Sequence, residues 1–389
     1  MDSRYIEEIF ERRNTGSVKW DYTDKFFSDK DLLPMWVADM DFPSPEPVQR
    51  ALTERIKHPL FGYTGAPQSL YESIINWMNK HHSWEIDKQW ILFSHGVVAS
   101  LATAIQALTS PGDQILLQSP VYTPFFDMIK SNERLVVNSE LLLQNNRYMM
   151  DFEDIEKKLQ GGVKLFLLCN PQNPSGRIWT KKELNTLGEL CLHYGVKIVS
   201  DEIHADLYLH SHKHTPIASL DERFSEITVT LAAPSKTFNL AGLQSSFIIA
   251  ANGEIRKKLE EVQNRNAFHG LNLLALTAME AAYSHGEEWL SQVILYLEEN
   301  IKISLQFIEE NLPQIKCIEP EASYLLWLDC RNLGLTDAEL RRALIKKGKI
   351  AVEPGNKYGP GGEGFIRLNI GCPRPILMDG LNRLKLALG

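Results

Sequence analysis

No stretch of the chain approaches the roughly 20 consecutive apolar residues that a membrane-spanning helix needs. The polar, charged opening MDSRYIEEIFERRN has the character of neither a signal peptide nor an anchor. Positive charge is not in excess either. The 41 Lys and Arg stand against 49 Asp and Glu, a net charge of −8, which gives no reason to expect nucleic acid or an anionic membrane surface as a partner. Cysteine is sparse: five residues (Cys169, Cys191, Cys317, Cys330, Cys372), odd in number and never in a CxxC pair. That pattern speaks against a zinc knuckle or a disulfide framework and fits reduced thiols packed as small hydrophobes in a cytoplasm. Repeats and low-complexity tracts are also missing.

What is there is the make-up of a globular enzyme. The chain has 389 residues, 44% hydrophobic and 23% charged, enough for two or three domains. Prolines at 34, 43, 45 and 47 mark an extended segment that gives way to a helix near Glu46, and amphipathic spacing predicts helices over 46–58 and 68–82, flanking the turn-like FGYTGAP. From about residue 90, apolar strands alternate with helices: WILFSHGV, QILLQSP, KLFLLCNPQNPSG, VKIVSDEIH, EITVTLAAPSKTF and LQSSFIIA. Thr180 and Glu183 form a capping-box signature at the start of one of those helices. Continuous apolar strands separated by helices indicate an α/β fold with a mainly parallel sheet covered on both faces. The expected organisation is an N-terminal segment, 1–45, packing with a smaller domain; a large domain, 46–285; and a small α+β domain, 286–389.

Ligands of such sheets gather at the carboxyl ends of the strands, and Asn173, Asp201 and Lys236 all fall at or just past strand ends. Lys236, in APSKTFNLAGLQ, is flanked by the hydroxyls of Ser235 and Thr237. Asp201 closes a buried strand, where an unpaired carboxylate is costly without a cation. Gly96, Val97 and Val98 lie where a strand meets a helix, so that their N–H groups could hold a phosphate. Tyr122, in SPVYTPF, offers a flat face, and Arg367 sits mid-strand in GFIRLNIG, an odd place for an arginine unless it meets an anion. Each has a bland reading: a solvated lysine, a helix-capping aspartate, a packed tyrosine, a structural ion pair, an ordinary turn. Together they match the needs of a pyridoxal-5′-phosphate (PLP) enzyme. Such an enzyme requires a Schiff-base lysine, a carboxylate against the pyridine nitrogen, a phosphate cradle, a stacking aromatic and a forked carboxylate clamp.

In that order along the chain, these motifs resemble the fold-type I PLP enzymes, the aspartate-aminotransferase superfamily. MWVADMDFPSPEPV, FGYTG, NPQNPSGR, VSDEIHADL, HTPIASL, APSKTFNLAGLQ and EPGNKYGPGGEGFIRLNIG narrow the likeness. They resemble the cystathionine β-lyase-type C–S lyases of the MalY/PatB subgroup. The resemblance implies the aminotransferase-like fold, with a seven-stranded sheet in the large domain. It implies Lys236 as the Schiff-base lysine, Asp201 at the pyridine nitrogen and Asn173 at the ring 3′-oxygen. Tyr122 would stack on the ring, while Gly96, Val97, Val98 and Ser235 would cradle the phosphate. Arg367, with Asn173 and Tyr122 beside it, would take the substrate carboxylate. Tyr63 would reach the neighbouring subunit's phosphate, making the active unit a homodimer. Two positions depart from the aminotransferase pattern. His204 stands where many of those enzymes place a tyrosine at the ring oxygen, and Gln244 where they place a phosphate-binding arginine.

The activity so implied is β-elimination from L-cystathionine or related cysteine S-conjugates, giving a thiol, pyruvate and ammonia. An aminotransferase on the same scaffold would need the same inner residues. A PLP-binding regulator is disfavoured, because the chain enters this scaffold within about forty residues and carries no basic module. Two further motifs are set aside. Gly359–Gly364 matches GxGxxG but leads into a strand, so it is expected to be a flexible loop beside Arg367. His210, His212 and His214 are expected to lie in a solvated loop, with no metal.

Overall fold

The computed structural model describes residues 4–210 and 212–389. Seven strands build the main sheet: β1 (Ile91–Ser94), β2 (Gln114–Leu117), β3 (Leu135–Asn138), β4 (Leu165–Cys169), β5 (Lys197–Asp201), β6 (Thr228–Ala232) and β7 (Ser246–Ile249), in the spatial order β1-β7-β6-β5-β4-β2-β3. Only β7 runs against the others, pairing antiparallel with both β1 and β6. Every residue of β4 is buried, as a sheet covered on both faces demands. The register sets Cys169 level with Asp201, and Asp201 level with Leu231, so the carboxyl ends of three central strands open on one place.

Local chemistry fixes the helices around that sheet. Helices span Glu46–Lys57 and Gln68–His82, with exposed backbone lacking regular structure between them. The Thr180 hydroxyl accepts from the Glu183 N–H and the Glu183 carboxylate accepts from the Thr180 N–H, starting the helix Lys181–His193. After the sheet come three helices in succession, Gly253–Arg265, Leu273–His285 and Glu287–Asn311. Asn252 and Asn272 start the first two by accepting N–H bonds, which breaks what the apolar pattern alone makes continuous.

A second, antiparallel sheet joins β8 (Lys316–Ile318), β9 (Leu325–Asp329), β10 (Glu353–Pro354) and β11 (Phe365–Asn369) in the order β8-β9-β11-β10. The described residues 4–40 contain three short helices, Arg4–Glu7, Val18–Asp21 and Thr23–Phe27, and then a two-residue strand, Leu33–Pro34, paired parallel with Ile350–Ala351. After that strand the chain runs past β11, where Asn369 donates to the carbonyls of Val37 and Asp39. No helix among the described residues is long and apolar enough to cross a membrane.

Candidate active site

A cavity of about 520 Å³ opens at the carboxyl ends of the central strands, within the usual size range of small-molecule sites, roughly 300–1,000 Å³. Lys236, Asp201, Asn173, His204 and Arg367 converge on it from separate elements. Lys236 lies in the short helix Pro234–Thr237 just after β6, and Asp201 is the last residue of β5. Asn173 sits in the loop after β4, and Arg367 is the middle residue of β11. Gly96, Val97, Val98, Tyr122 and Ser235 complete the expected set around the same space.

The arginine is nearly buried and held in a defined attitude. Its Nη1 donates to Asn173 Oδ1 at 2.9 Å and its Nη2 to the Trp36 carbonyl at 3.0 Å. The Tyr358 ring lies 5.3 Å below the guanidinium, and Nε has no partner. A buried, part-satisfied guanidinium facing a cavity is suited to an anion that can accept in a fork.

Burial moves the ionisable groups. Asp201 is pushed up to about 7 by loss of water, with Glu202 adding to the rise and the Ile203 N–H and Lys236 opposing it. Lys236 is brought down to about 8 by burial and by Arg367, against the pull of Asp39 and Asp201. His204 falls to about 3 through burial and the nearby Lys236 and Arg367, so its imidazole is neutral; Nδ1 lies 3.2 Å from Ser323 Oγ. Gly96, at φ +116°, turns the chain from β1 into the helix Val97–Leu108, and a side chain there would be strained. The Gly96 N–H donates to Ser246 Oγ at 3.0 Å. That leaves the first-turn N–H groups of Val97 and Val98, which have no intrahelical partner.

Two expectations are corrected, those for His214 and for the glycine-rich loop. His214 is not solvated: its Nε2 sits 2.9 Å from Glu202 Oε2 and both side chains are buried. The loop at 359–364 is packed, not open, since a Cβ on Gly359 would lie 2.6 Å from the Phe126 ring and one on Gly362 would lie 2.2 Å from the Gly355 carbonyl. Tyr63 is fully exposed and stands outside the cavity of its own chain. No cluster of three or more His, Cys, Asp or Glu side chains among the described residues could hold a metal. Residues the sequence did not single out also line the cavity: Val37 and Ala38 from the N-terminal segment, and Glu353, Lys357 and Tyr358 before β11. Val37 and Ala38 reach the site from the far end of the chain, and the motifs that hold these residues give no sign of which side chains face the cavity.

The description "Aminotransferase class I and II" matches residues 30–384. The chain belongs to that family. Among class I and II members it is 52% identical to cystathionine β-lyase PatB of Bacillus subtilis, over 97% of this chain and 98% of that one. Its structure is similar to that of cystalysin from Treponema denticola, which contains PLP, with a TM-score of 0.95, 35% identity and coverage of 98% of each chain. It is also similar to a PLP-bound protein of Clostridium difficile 630, provisionally described as an aminotransferase, with a TM-score of 0.97, 45% identity and coverage of 99% of each chain.

Proposed function

We propose that this chain is a PLP-dependent carbon–sulfur β-lyase that cleaves L-cystathionine or related cysteine S-conjugates to a thiol, pyruvate and ammonia. The observation that carries the reading is the single cavity in which Lys236, Asp201 and Arg367 face one another; likeness to PatB along nearly the whole chain selects the lyase chemistry. The residues fit the cofactor. A buried carboxylate raised to about 7 calls for a cationic partner, and a protonated pyridine nitrogen is one. Free N–H groups at a helix start suit a phosphate. When bound, PLP supplies a ring that accepts the electron pair left at the substrate Cα.

The protein's own groups then have separate duties. Asp201 would keep the ring nitrogen protonated, and Asn173 would hydrogen-bond the ring oxygen. His204, neutral, lines the same cavity as Asp201. Tyr122 would cover a ring face, and Val97, Val98, Gly96 and Ser235 would hold the phosphate. Arg367 exchanges a carbonyl partner for the substrate carboxylate and so fixes which Cα bond points at Lys236. Lys236, with a lowered proton affinity, takes the Cα proton on Nζ, after which the Cβ–S bond breaks. Tyr63 reaches the partner's phosphate in a homodimer, and the enzyme acts in the cytoplasm.

The test is release of pyruvate from L-cystathionine, with and without an added keto acid. Keto-acid-independent pyruvate that disappears in Lys236→Ala supports the lyase. Turnover that needs the keto acid, with no pyruvate in its absence, replaces it with an aminotransferase.

A further inference from the structure

The backbone between Trp36 and Met40 makes an unusual set of contacts. Each of its carbonyls accepts from a side chain at or beside the cavity: Trp36 from Arg367, Val37 and Asp39 from Asn369, and Met40 from Asn239. The Ala38 carbonyl accepts from two donors, Lys236 Nζ at 2.5 Å and Tyr324 Oη at 2.9 Å. Asp39 follows immediately. Arg12 forks onto its carboxylate at 2.9 and 3.1 Å, and Lys19 lies 3.6 Å away.

Those two cations are shared between two carboxylates. Both make their shorter contact with Asp41, each at 2.6 Å. Asp39 is the carboxylate of the four-charge cluster that adjoins the lysine's hydrogen-bond acceptor. We propose that Asp39 is a positioning residue for Lys236: the strap Trp36–Met40 aims the amine through the Ala38 carbonyl and, through Asp39, supplies the negative charge that receives the ammonium formed when the Cα proton moves to Nζ. A neutral amine that donates one N–H to Ala38 keeps its lone pair for the substrate. The proton that leaves Cα then resides on Nζ within the field of the Asp39 carboxylate, and no further reagent is needed.

The other groups around Lys236 do not replace this charge. Arg367 from β11 disfavours the ammonium, and His204 after β5 is neutral. Tyr122 and Tyr324 are held in their neutral phenol forms by burial. Asp201, the other carboxylate in reach, is itself pushed toward protonation. Asp39, in contrast, is held below its ordinary value by Arg12 and Lys19 against the effect of burial, and so stays charged at neutral pH.

The inference rests on the proposed role of Lys236, but its test needs neither substrate nor cofactor. In the cofactor-stripped full chain, competitive acetylation of Lys236 by acetic anhydride, followed by peptide mass spectrometry across pH, gives the midpoint for loss of its proton. Asp39→Asn is expected to lower that midpoint by about 1 pH unit, as loss of a nearby opposite charge does, and Asp39→Glu is expected to restore it. An unchanged midpoint in a folded Asp39→Asn protein overturns the proposal. Should that variant not fold, hydrogen exchange in Lys236→Met decides: the amides of residues 36–41 exchange faster if lysine and strap hold each other, and unchanged exchange overturns it. Absence of lyase activity in the parent protein would sink the proposed function without touching the labelling result.

Discussion

Asp201 and Lys236 are drawn together in acidity by the same cause, removal from water, one rising to about 7 and the other falling to about 8. Neither holds its charge cheaply, so each depends on what faces it. Asp201→Asn keeps the shape and removes the charge. It is expected to lower kcat by about 100-fold or more, the scale of losing one preorganised electrostatic contact, with KM moving less; steady-state kinetics of pyruvate release check this. Arg367→Lys retains a cation and loses the fork. A hydrogen bond to a charged group contributes about 1.5–3 kcal/mol, so kcat/KM should fall about ten- to hundred-fold, mainly through KM. The sequence marks both residues, because a charge inside an apolar run is visible without any structure. It does not mark Asp39, which sits in a stretch without periodicity and acquires meaning only from the lysine brought beside it.

Secondary-structure elements carry a second layer of chemistry beneath the cavity. Asp206, after β5, accepts from Trp77 Nε1 at 2.9 Å and Thr237 Oγ1 at 2.7 Å and faces His82 Nε2 at 2.8 Å. Thr237 adjoins Lys236, so this network anchors the short helix that carries the lysine. Burial alone would raise the Asp206 carboxyl, but its partners, His82 first among them, hold it at about 2, below the ordinary 3.8. A depressed folded-state value stabilises the protein above about pH 4, and that contribution is lost as pH falls toward 2. It amounts to about 2 kcal/mol. Urea denaturation should therefore show parent and Asp206→Asn well separated at neutral pH, with the gap narrowing from pH 4 downward. The capping box at Thr180 is a more local device: Thr180→Ala should cost about 1 kcal/mol in the same measurement and leave turnover unchanged. Caps and strands were legible because they depend on neighbours in sequence. The buried His82–Asp206 and His214–Glu202 pairs were not, since a histidine in a polar stretch gives no sign that the fold will enclose it.

At the scale of the molecule, the sheet order places Asn173, Asp201 and Lys236 after three adjacent parallel strands, which is why their order along the sequence is enough to mark the site. Arg367 comes from the other sheet, so the cavity closes only where the two layers meet. Leu60, Phe61 and Tyr63 lie exposed in one segment. If a second copy covers that segment, sedimentation gives twice the chain mass, and Tyr63→Phe weakens PLP retention on dialysis without changing that mass.

The pairing of Leu33 with Ile350 has a consequence for biosynthesis. The strap that touches Lys236 is made early by the ribosome, yet its docking partners, Ile350–Ala351 and Asn369, are made almost last. A nascent chain can complete the seven-stranded sheet well before it can seat the strap or bring in Arg367. The enzyme's working pocket is thus the final part of the molecule to be assembled, and a chain stalled before β11 would carry its lysine without the Arg367 clamp and without the Asn369 bonds that hold the strap.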